Sequence, residues 1–220
     1  WIVIESRSRD TSESWLLPTA DTTAVPRSVA GRRAGIEYTV DHAPTAGADD
    51  LLMVTNDQAP EFRVLTAPVD TLGPWREVVA HDPATRVVDA DAFSGHVVLT
   101  LRQDGLPLLR VMQRDWSASY DIAPADEAST VSMVHVDDFA SGTITIRAES
   151  RTASASWWDV DLGSGERIEV ARTEAPGLDP GRYATSRVWV TARDGARVPV
   201  TLWRRHDVAL DGSAPYLLYG

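Results

Sequence analysis

The stretch Arg86–Ala123, RVVDADAFSGHVVLTLRQDGLPLLRVMQRDWSASYDIA, decides the fold class, because short apolar and β-branched runs alternate in it with turn residues. Turn clusters such as Gln103-Asp104-Gly105 separate the runs, as is typical of consecutive antiparallel strands. The stretch therefore predicts a unit of four strands, which are Arg86–Phe93, His96–Leu101, Leu108–Gln113 and Ala118–Ala123.

The same unit recurs along the chain. Runs that resemble His96–Leu101 start at residues 1, 51, 96 and 143, so successive units lie 50, 45 and 47 residues apart. A strand like Arg86–Phe93 also precedes two others of these runs, at Ile36–His42 and Val131–Phe139. Four antiparallel strands every 45 to 50 residues is the spacing of β-propeller blades.

We therefore expect an all-β chain whose residues 1–182 form part of a β-propeller. The expected blades lie near residues 1–35, 36–85, 86–130 and 131–172, and a linker follows to residue 182. An immunoglobulin-like sandwich is the alternative fold, since it has similar local strand spacing. It does not, however, produce a four-strand repeat.

The pattern changes after Arg172. Thr173–Arg182 (TEAPGLDPGR) is rich in Pro and Gly, as linkers are. The runs Arg187–Thr191 and Val198–Trp203 flank Asp194-Gly195, which predicts a β-hairpin. Tyr216–Tyr219 (YLLY) is short and apolar, as expected for a buried strand of a larger sheet.

The last 38 residues carry a family resemblance. Val190–Gly195 together with Val198-Pro199-Val200, and then Gly212–Gly220, resemble the oligopeptidase B group of the prolyl oligopeptidase family of serine peptidases. Weaker matches run upstream, for instance at Phe62–Leu65 and Val170–Glu174. The resemblance implies a seven-bladed propeller over an α/β-hydrolase domain. This chain would hold about four of the blades, and residues 183–220 would be the truncated start of the peptidase domain.

The resemblance also implies a function for the parent protein, which is hydrolysis of short peptides after Arg or Lys. The propeller would restrict access to the active site by substrate size. The family's Ser, Asp and His lie beyond Gly220, and the chain has no Gly-x-Ser-x-Gly motif of its own. Gly163-Ser164-Gly165 is interpreted as a turn. We therefore expect no catalytic residue here and no activity from the chain alone. The alternative is a free-standing propeller or sandwich that acts as a binding module.

Composition excludes several functions. With 32 acidic and 21 basic residues the formal charge is -11, which argues against general nucleic acid binding. The chain has no Cys, which excludes disulfides and thiol catalysis and fits a cytoplasmic protein. No apolar run approaches the length of a membrane-spanning helix, so we expect no membrane partner. The five His lack metal-ligand spacing, so we expect no metal and no cofactor.

Acidic residues recur near the ends of the strands predicted to come first in their blades. Because that strand lines a propeller's channel, carboxylates there would make the channel negative and attract cationic peptides. The other interpretation is that these residues cap turns by accepting backbone N–H bonds. The sequence leaves both open for Asp41, Asp89, Asp91, Asp137 and Asp138.

An arc of about four blades would leave two blade faces and the strand edge beside Tyr216–Tyr219 uncovered. Exposed apolar faces and unpaired edges favour association. We therefore expect the isolated chain to self-associate, most simply as a two-fold dimer.

Overall fold

The computed structural model describes residues 1–45, 47–126 and 128–219, and within them the chain forms seventeen strands in five antiparallel sheets. The all-β prediction is confirmed. Three predicted segments each contain one residue outside this description: Ala46 in the blade 36–85, Glu127 in the blade 86–130, and Gly220 at the end of 183–220.

Each of the first four sheets is built from consecutive strands. The first sheet comprises β1 (Ile2–Arg7), β2 (Ser12–Leu17) and β3 (Arg27–Ser28). The second comprises β4 (Tyr38–His42), β5 (Asp50–Thr55), β6 (Arg63–Pro68) and β7 (Arg76–Val79). The third comprises β8 (Thr85–Ala92), β9 (His96–Gln103), β10 (Leu106–Gln113) and β11 (Ser119–Ile122). The fourth comprises β12 (Ser129–Met133), β13 (Thr143–Ser150), β14 (Ser156–Asp161) and β15 (Arg167–Arg172).

The predicted repeat is confirmed by strand position. Strands β5, β9 and β13, which contain the runs starting at 51, 96 and 143, each hold the second position in a four-stranded sheet. The sandwich alternative is therefore wrong, because three sheets repeat one four-strand order.

The central residues of β9 are apolar because sheets cover both faces of the strand. In β9, Val97 and Leu99 are fully buried in the core shared with the second sheet. Val98, between them, is fully buried in the core shared with the fourth sheet. Since successive side chains point to opposite faces, a strand segment that is buried between two sheets needs apolar residues at consecutive positions, as at Val97, Val98 and Leu99.

Polar contacts also join the first two sheets. The Ser12 hydroxyl donates to the Tyr38 carbonyl at 2.7 Å and accepts from the Tyr38 N–H at 2.5 Å. The Tyr38 hydroxyl accepts from the Ser14 N–H at 3.0 Å and donates to the Gly31 carbonyl at 3.3 Å. Tyr38 is buried, so these bonds satisfy groups that water does not reach.

Arginines join sheets at their edges. Arg27 donates to the carbonyls of Val69 and Asp70 at 2.9 and 2.8 Å, which ties the first sheet to the second. Arg114 donates to the Ala43 carbonyl at 2.5 Å, which ties the third sheet to the second. Each guanidinium therefore satisfies loop carbonyls of the neighbouring sheet.

A separate hairpin follows the four sheets. After a single 3-10 turn at Pro180–Arg182, β16 (Tyr183–Thr191) pairs with β17 (Arg197–Arg205). The hairpin prediction is confirmed, and both strands are longer than predicted. The predicted strand Tyr216–Tyr219 is wrong: these residues form no ladder, and their side chains are at least 76% exposed. A strand requires a partner with free backbone groups, and none lies beside this segment among the described residues.

We predict that Tyr38→Phe lowers the free energy of unfolding by about 1–2 kcal/mol, because it leaves the buried Ser14 N–H without its acceptor. Urea unfolding followed by tryptophan fluorescence measures the change. Tyr216→Phe is the matched control, since Tyr216 is 87% exposed, and it should leave the midpoint unchanged. Equal midpoints for the two variants would contradict the role of Tyr38.

Candidate substrate-channel site

Three of the five predicted carboxylates meet at the contact between the second and third sheets. Asp41 lies near the end of β4, and Asp89 and Asp91 lie in β8. They line one cleft of about 270 Å³. Glu5 and Arg7 of β1 line it as well, so three successive sheets contribute charged groups.

Asp41 joins the two sheets directly. One carboxylate oxygen accepts from the Ala92 N–H across the interface, and the other accepts from the His42 N–H, both at 2.8 Å. Burial raises the pKa of Asp41, the two N–H donors counteract part of that rise, and the nearby Asp89 adds to it. This carboxylate therefore has a structural role as an acceptor between blades, in addition to its charge.

Asp91 is the most perturbed group in the cleft. Burial raises its pKa to about 6, and the charges of Asp89 and Asp41 contribute to the rise, while His135 opposes it. Asp89 is exposed, and its carboxylate accepts from the Ala90 N–H at 3.0 Å. The cleft therefore holds carboxylates that repel one another, and one of them takes up a proton near pH 6.

The other two predicted residues lie elsewhere. The strand predicted at Val131–Phe139 ends at Met133, so Asp137 and Asp138 fall in the following loop and are exposed. Their predicted place on a first strand is wrong. Asp138 accepts from the Ala140 N–H at 2.9 Å, and such local bonds compete with strand pairing. Asp138 thus behaves as the turn-capping interpretation describes.

Strand direction places the three Asp carboxylates of the cleft toward one end of their sheets. Thr85, at the start of β8, pairs with Gln103 beside the β9–β10 turn. Asp91 lies six residues further, or about 20 Å at about 3.3 Å per residue. In the fourth sheet, β15 is the last strand before the linker, and its final residue, Arg172, pairs with Ser156. This is the same end of the sheet as the one at which β12 begins. The carboxylates therefore lie at the end opposite to the one from which the chain leaves the sheets.

Sequence reasoning missed Glu5, Arg7 and His135. Glu5 and Arg7 form an ion pair at 3.1 Å and reach the cleft from a strand that holds a different position in its sheet. A comparison of β4 with β8 could not reveal them, because they lie on β1, which corresponds to β5 and β9 in the repeat. The Asp recurrence itself was the signal that pointed to the other residues.

The family model for the prolyl oligopeptidase N-terminal beta-propeller domain matches residues 1–173. The chain belongs to the prolyl oligopeptidase family. The matched region ends one residue beyond β15, so it covers the four successive sheets and stops before the linker. Residues 1–173 thus belong to the propeller domain of a family of serine peptidases.

Curated relatives match over the full chain. Dipeptidyl aminopeptidase BI of Pseudoxanthomonas mexicana is 36% identical over 225 residues, which is all of this chain and 30% of that protein. Protease 2 of Moraxella lacunata is 26% identical over 222 residues, again all of this chain and 31% of the relative. The chain therefore spans about a third of the length of these peptidases.

Solved structures share the fold. Oligopeptidase B from Trypanosoma brucei, in a closed form with covalently bound antipain, matches with a TM-score of 0.85 at 26% identity, over 94% of this chain and 31% of that one. Oligopeptidase B from Leishmania major matches with a TM-score of 0.86 at 23% identity, over 95% of this chain and 31% of that one. The likeness includes the hairpin, because the coverage exceeds the matched propeller.

Across the part of the chain that the structure describes, no helix is long and apolar enough to cross a bilayer. Within those residues, no group of three or more His, Asp or Glu side chains is arranged to hold a metal ion.

We predict that Asp91→Asn stabilises the protein at pH 8. The raised pKa means that the folded state binds the Asp91 proton more tightly than the unfolded chain does. Proton binding by Asp91 therefore contributes fully to the free energy of unfolding below about pH 4, and this contribution is lost as the pH rises through about 6. The variant should gain about 1–2 kcal/mol at pH 8, because one pKa unit is worth about 1.4 kcal/mol and water screens part of it.

Urea unfolding at pH 4 and pH 8 measures the effect, and the gain should vanish at pH 4. Glu174→Gln is the control, since Glu174 is exposed in the linker outside the cleft, and it should change stability at neither pH. A destabilised Asp91→Asn at pH 8 would contradict the assignment.

We predict that Asp41→Ala destabilises the chain by about 1–3 kcal/mol, because the Ala92 and His42 N–H groups lose their acceptor. Asp41→Asn should lose less, since its amide oxygen still accepts one of the two bonds. Thermal unfolding of both variants gives the order. If Asp41→Ala is as stable as wild type, the carboxylate does not join the sheets.

Proposed function

We propose that the chain is the propeller portion of an oligopeptidase B-like serine peptidase that cleaves short peptides after Arg or Lys. The observation that carries this proposal is the full-chain similarity to Protease 2 and to oligopeptidase B structures. The propeller restricts access to the active site by substrate size. Because relatives about three times as long match the whole chain, this function is favoured over a free-standing binding module.

The acidic cleft supports the preference for cationic peptides. Four carboxyl groups line it against the single guanidinium of Arg7. A concave surface of one charge raises the local concentration of oppositely charged ligands and speeds their association. The three Asp carboxylates of the cleft lie toward the end of the sheets away from the linker, so the proposed role of the cleft is to attract peptides before they reach the peptidase domain. It is not the pocket that selects Arg or Lys.

Catalysis belongs to the remainder of the parent protein. In the reaction proposed for it, a serine attacks the peptide carbonyl, a histidine takes the serine proton and later gives it to the leaving amine, and an aspartate orients the histidine. The residues of this chain would attract, admit and exclude substrates. We therefore expect the purified chain to hydrolyse nothing.

A second candidate activity is favoured by the 36% identity to a protein named dipeptidyl aminopeptidase BI. On that alternative, the parent protein releases dipeptides from free peptide N-termini. The two activities differ in whether a free α-amino group is required, because an exopeptidase must recognise that group and an endopeptidase need not.

The parent protein should therefore be assayed with an N-blocked arginyl amide and with the matching unblocked dipeptidyl amide. Cleavage of the blocked substrate supports the proposed endopeptidase. Cleavage of the unblocked substrate alone overturns it in favour of the second candidate. The isolated chain is the control, and we predict that it cleaves neither substrate and takes up no fluorophosphonate serine probe.

The role of the cleft predicts a charge effect on kinetics. Asp89→Asn in the parent protein should lower kcat/KM several-fold for a peptide with three Arg residues at low salt, and the loss should shrink at 0.5 M salt because salt screens the attraction. Asp137→Asn, outside the cleft, is the control. An equal loss for a neutral peptide would contradict steering by charge.

We propose further that the isolated chain self-associates as a two-fold dimer. Ile2 and Ile4 of β1 are 40% and 42% exposed, while Ile168 and Val170 of β15 are 69% and 51% exposed. The first and fourth sheets thus each present apolar groups to solvent, which favours association. Sedimentation equilibrium at about 0.15 M salt tests this proposal, and a 24.0 kDa monomer at tens of micromolar would contradict it.

A further inference from the structure

The turn between β9 and β10 touches the β16–β17 hairpin. Asp104 and Gly105 form this turn with φ of 51° and 76°. Both values lie in the left-handed region that Asp and Gly tolerate best. The turn is therefore tight, and its backbone can approach another element closely.

A side chain at Gly105 would press against the hairpin. A Cβ at this position would lie 3.2 Å from an Nη atom of Arg187 and 3.5 Å from Cγ of Pro199. Both residues belong to the hairpin, whose ladder places Pro199 opposite Trp189, two residues from Arg187. One face of the hairpin therefore packs directly on the glycine backbone.

Arg187 is the centre of the contact. Its guanidinium donates to the Asp104 carbonyl, while its Nε is buried without a hydrogen-bond partner. The same guanidinium lies over the Trp189 ring at 5.3 Å from the centroid, and Arg197 lies over that ring at 5.1 Å. Trp189 therefore holds Arg187 in a defined position beside the turn.

The hairpin has few other ties to the blades. Among residues 1–45, 47–126 and 128–219, the Arg187–Asp104 bond is the only hydrogen bond that joins the hairpin to one of the four sheets. The covalent connection runs through residues 173–182, every one of which is exposed. An exposed Pro- and Gly-containing segment provides little to fix the hairpin's position.

We propose that the Asp104–Gly105 turn is a docking stop that sets the position of the hairpin against the third sheet through Arg187 and Pro199. The inference deepens the proposed function and rests on it in one respect, namely that the hairpin begins the peptidase domain. When the contact forms, the start of that domain is held against the propeller. When it breaks, only the exposed linker connects the two.

Disulfide trapping tests the contact, because the chain has no Cys of its own. Gly105→Cys combined with Pro199→Cys puts thiols on two facing residues, since a Cβ at Gly105 would lie 3.5 Å from Cγ of Pro199, and the Cβ atoms of a disulfide lie about 3.8 Å apart. The matched control is Gly165→Cys combined with Pro199→Cys. Gly165 also has a positive φ, 74°, in the hairpin turn before β15, but the ring of Tyr120 supplies its three nearest atoms.

Thiol titration and mass spectrometry after mild oxidation give the result. We expect the 105–199 pair to oxidise at least ten times faster than the 165–199 pair, as an intramolecular bond in the monomer. Equal rates for the two pairs, or two free thiols in a folded 105–199 variant, would overturn the proposal. The readout involves no peptidase activity, so its failure would leave the proposed function standing.

A second variant covers the case in which the double substitution does not fold. Arg187→Ala removes the bond to Asp104 while leaving the turn intact, and it should increase the rate of trypsin cleavage after Arg182 several-fold by loosening the hairpin. Arg193→Ala, in the exposed hairpin turn, is the control. Unchanged cleavage after Arg182 in the folded Arg187→Ala variant would contradict a docking stop at this turn.

Discussion

The structure depends on one constraint, which is that the middle strands of the third sheet are buried on both faces by neighbouring sheets. Leu99 of β9 packs toward the second sheet and Val98 toward the fourth, and neither is exposed. A sheet covered on both sides cannot alternate apolar and polar residues, so the sequence of β9 is apolar from Val97 to Leu99. The stability of each sheet therefore depends on its neighbours, and among the described residues the charged side chains are confined to positions outside those buried cores.

The candidate site is a consequence of that confinement. Asp41 is at once an acceptor for the Ala92 N–H of the next sheet and one of the carboxylates in the cleft. At Asp41, therefore, one carboxylate both accepts backbone N–H bonds and adds negative charge to the cleft. Asp91, with a pKa raised to about 6, lowers stability at neutral pH, which is the pattern expected where charge is retained for a reason other than folding.

The repeat and the hairpin could be predicted from sequence because they rest on local signals, namely strand periodicity and the Asp194-Gly195 turn. Asp41, Asp89 and Asp91 could be grouped from sequence because they lie on β4 and β8, the first strands of their sheets, and the structure brings these three residues to one cleft. The end of β12 could not be predicted, because the bond from the Ala140 N–H to Asp138 competes with strand pairing. Glu5 and the Arg187–Asp104 contact also escaped prediction, since both depend on how separate sheets pack. The Tyr216–Tyr219 prediction failed because an apolar run becomes a strand only beside a free edge.

The most direct test of the central claim is a crystal structure of the longer protein with a peptide-derived covalent inhibitor bound. The account predicts that the four sheets appear as successive blades of one propeller. It also predicts that the Asp41 carboxylate accepts from the Ala92 N–H near 2.8 Å, and that the cleft opens on the side of the propeller away from the peptidase domain. The account would be contradicted if the sheets did not pack in chain order, or if Asp89 and Asp91 contacted the inhibitor at the active site.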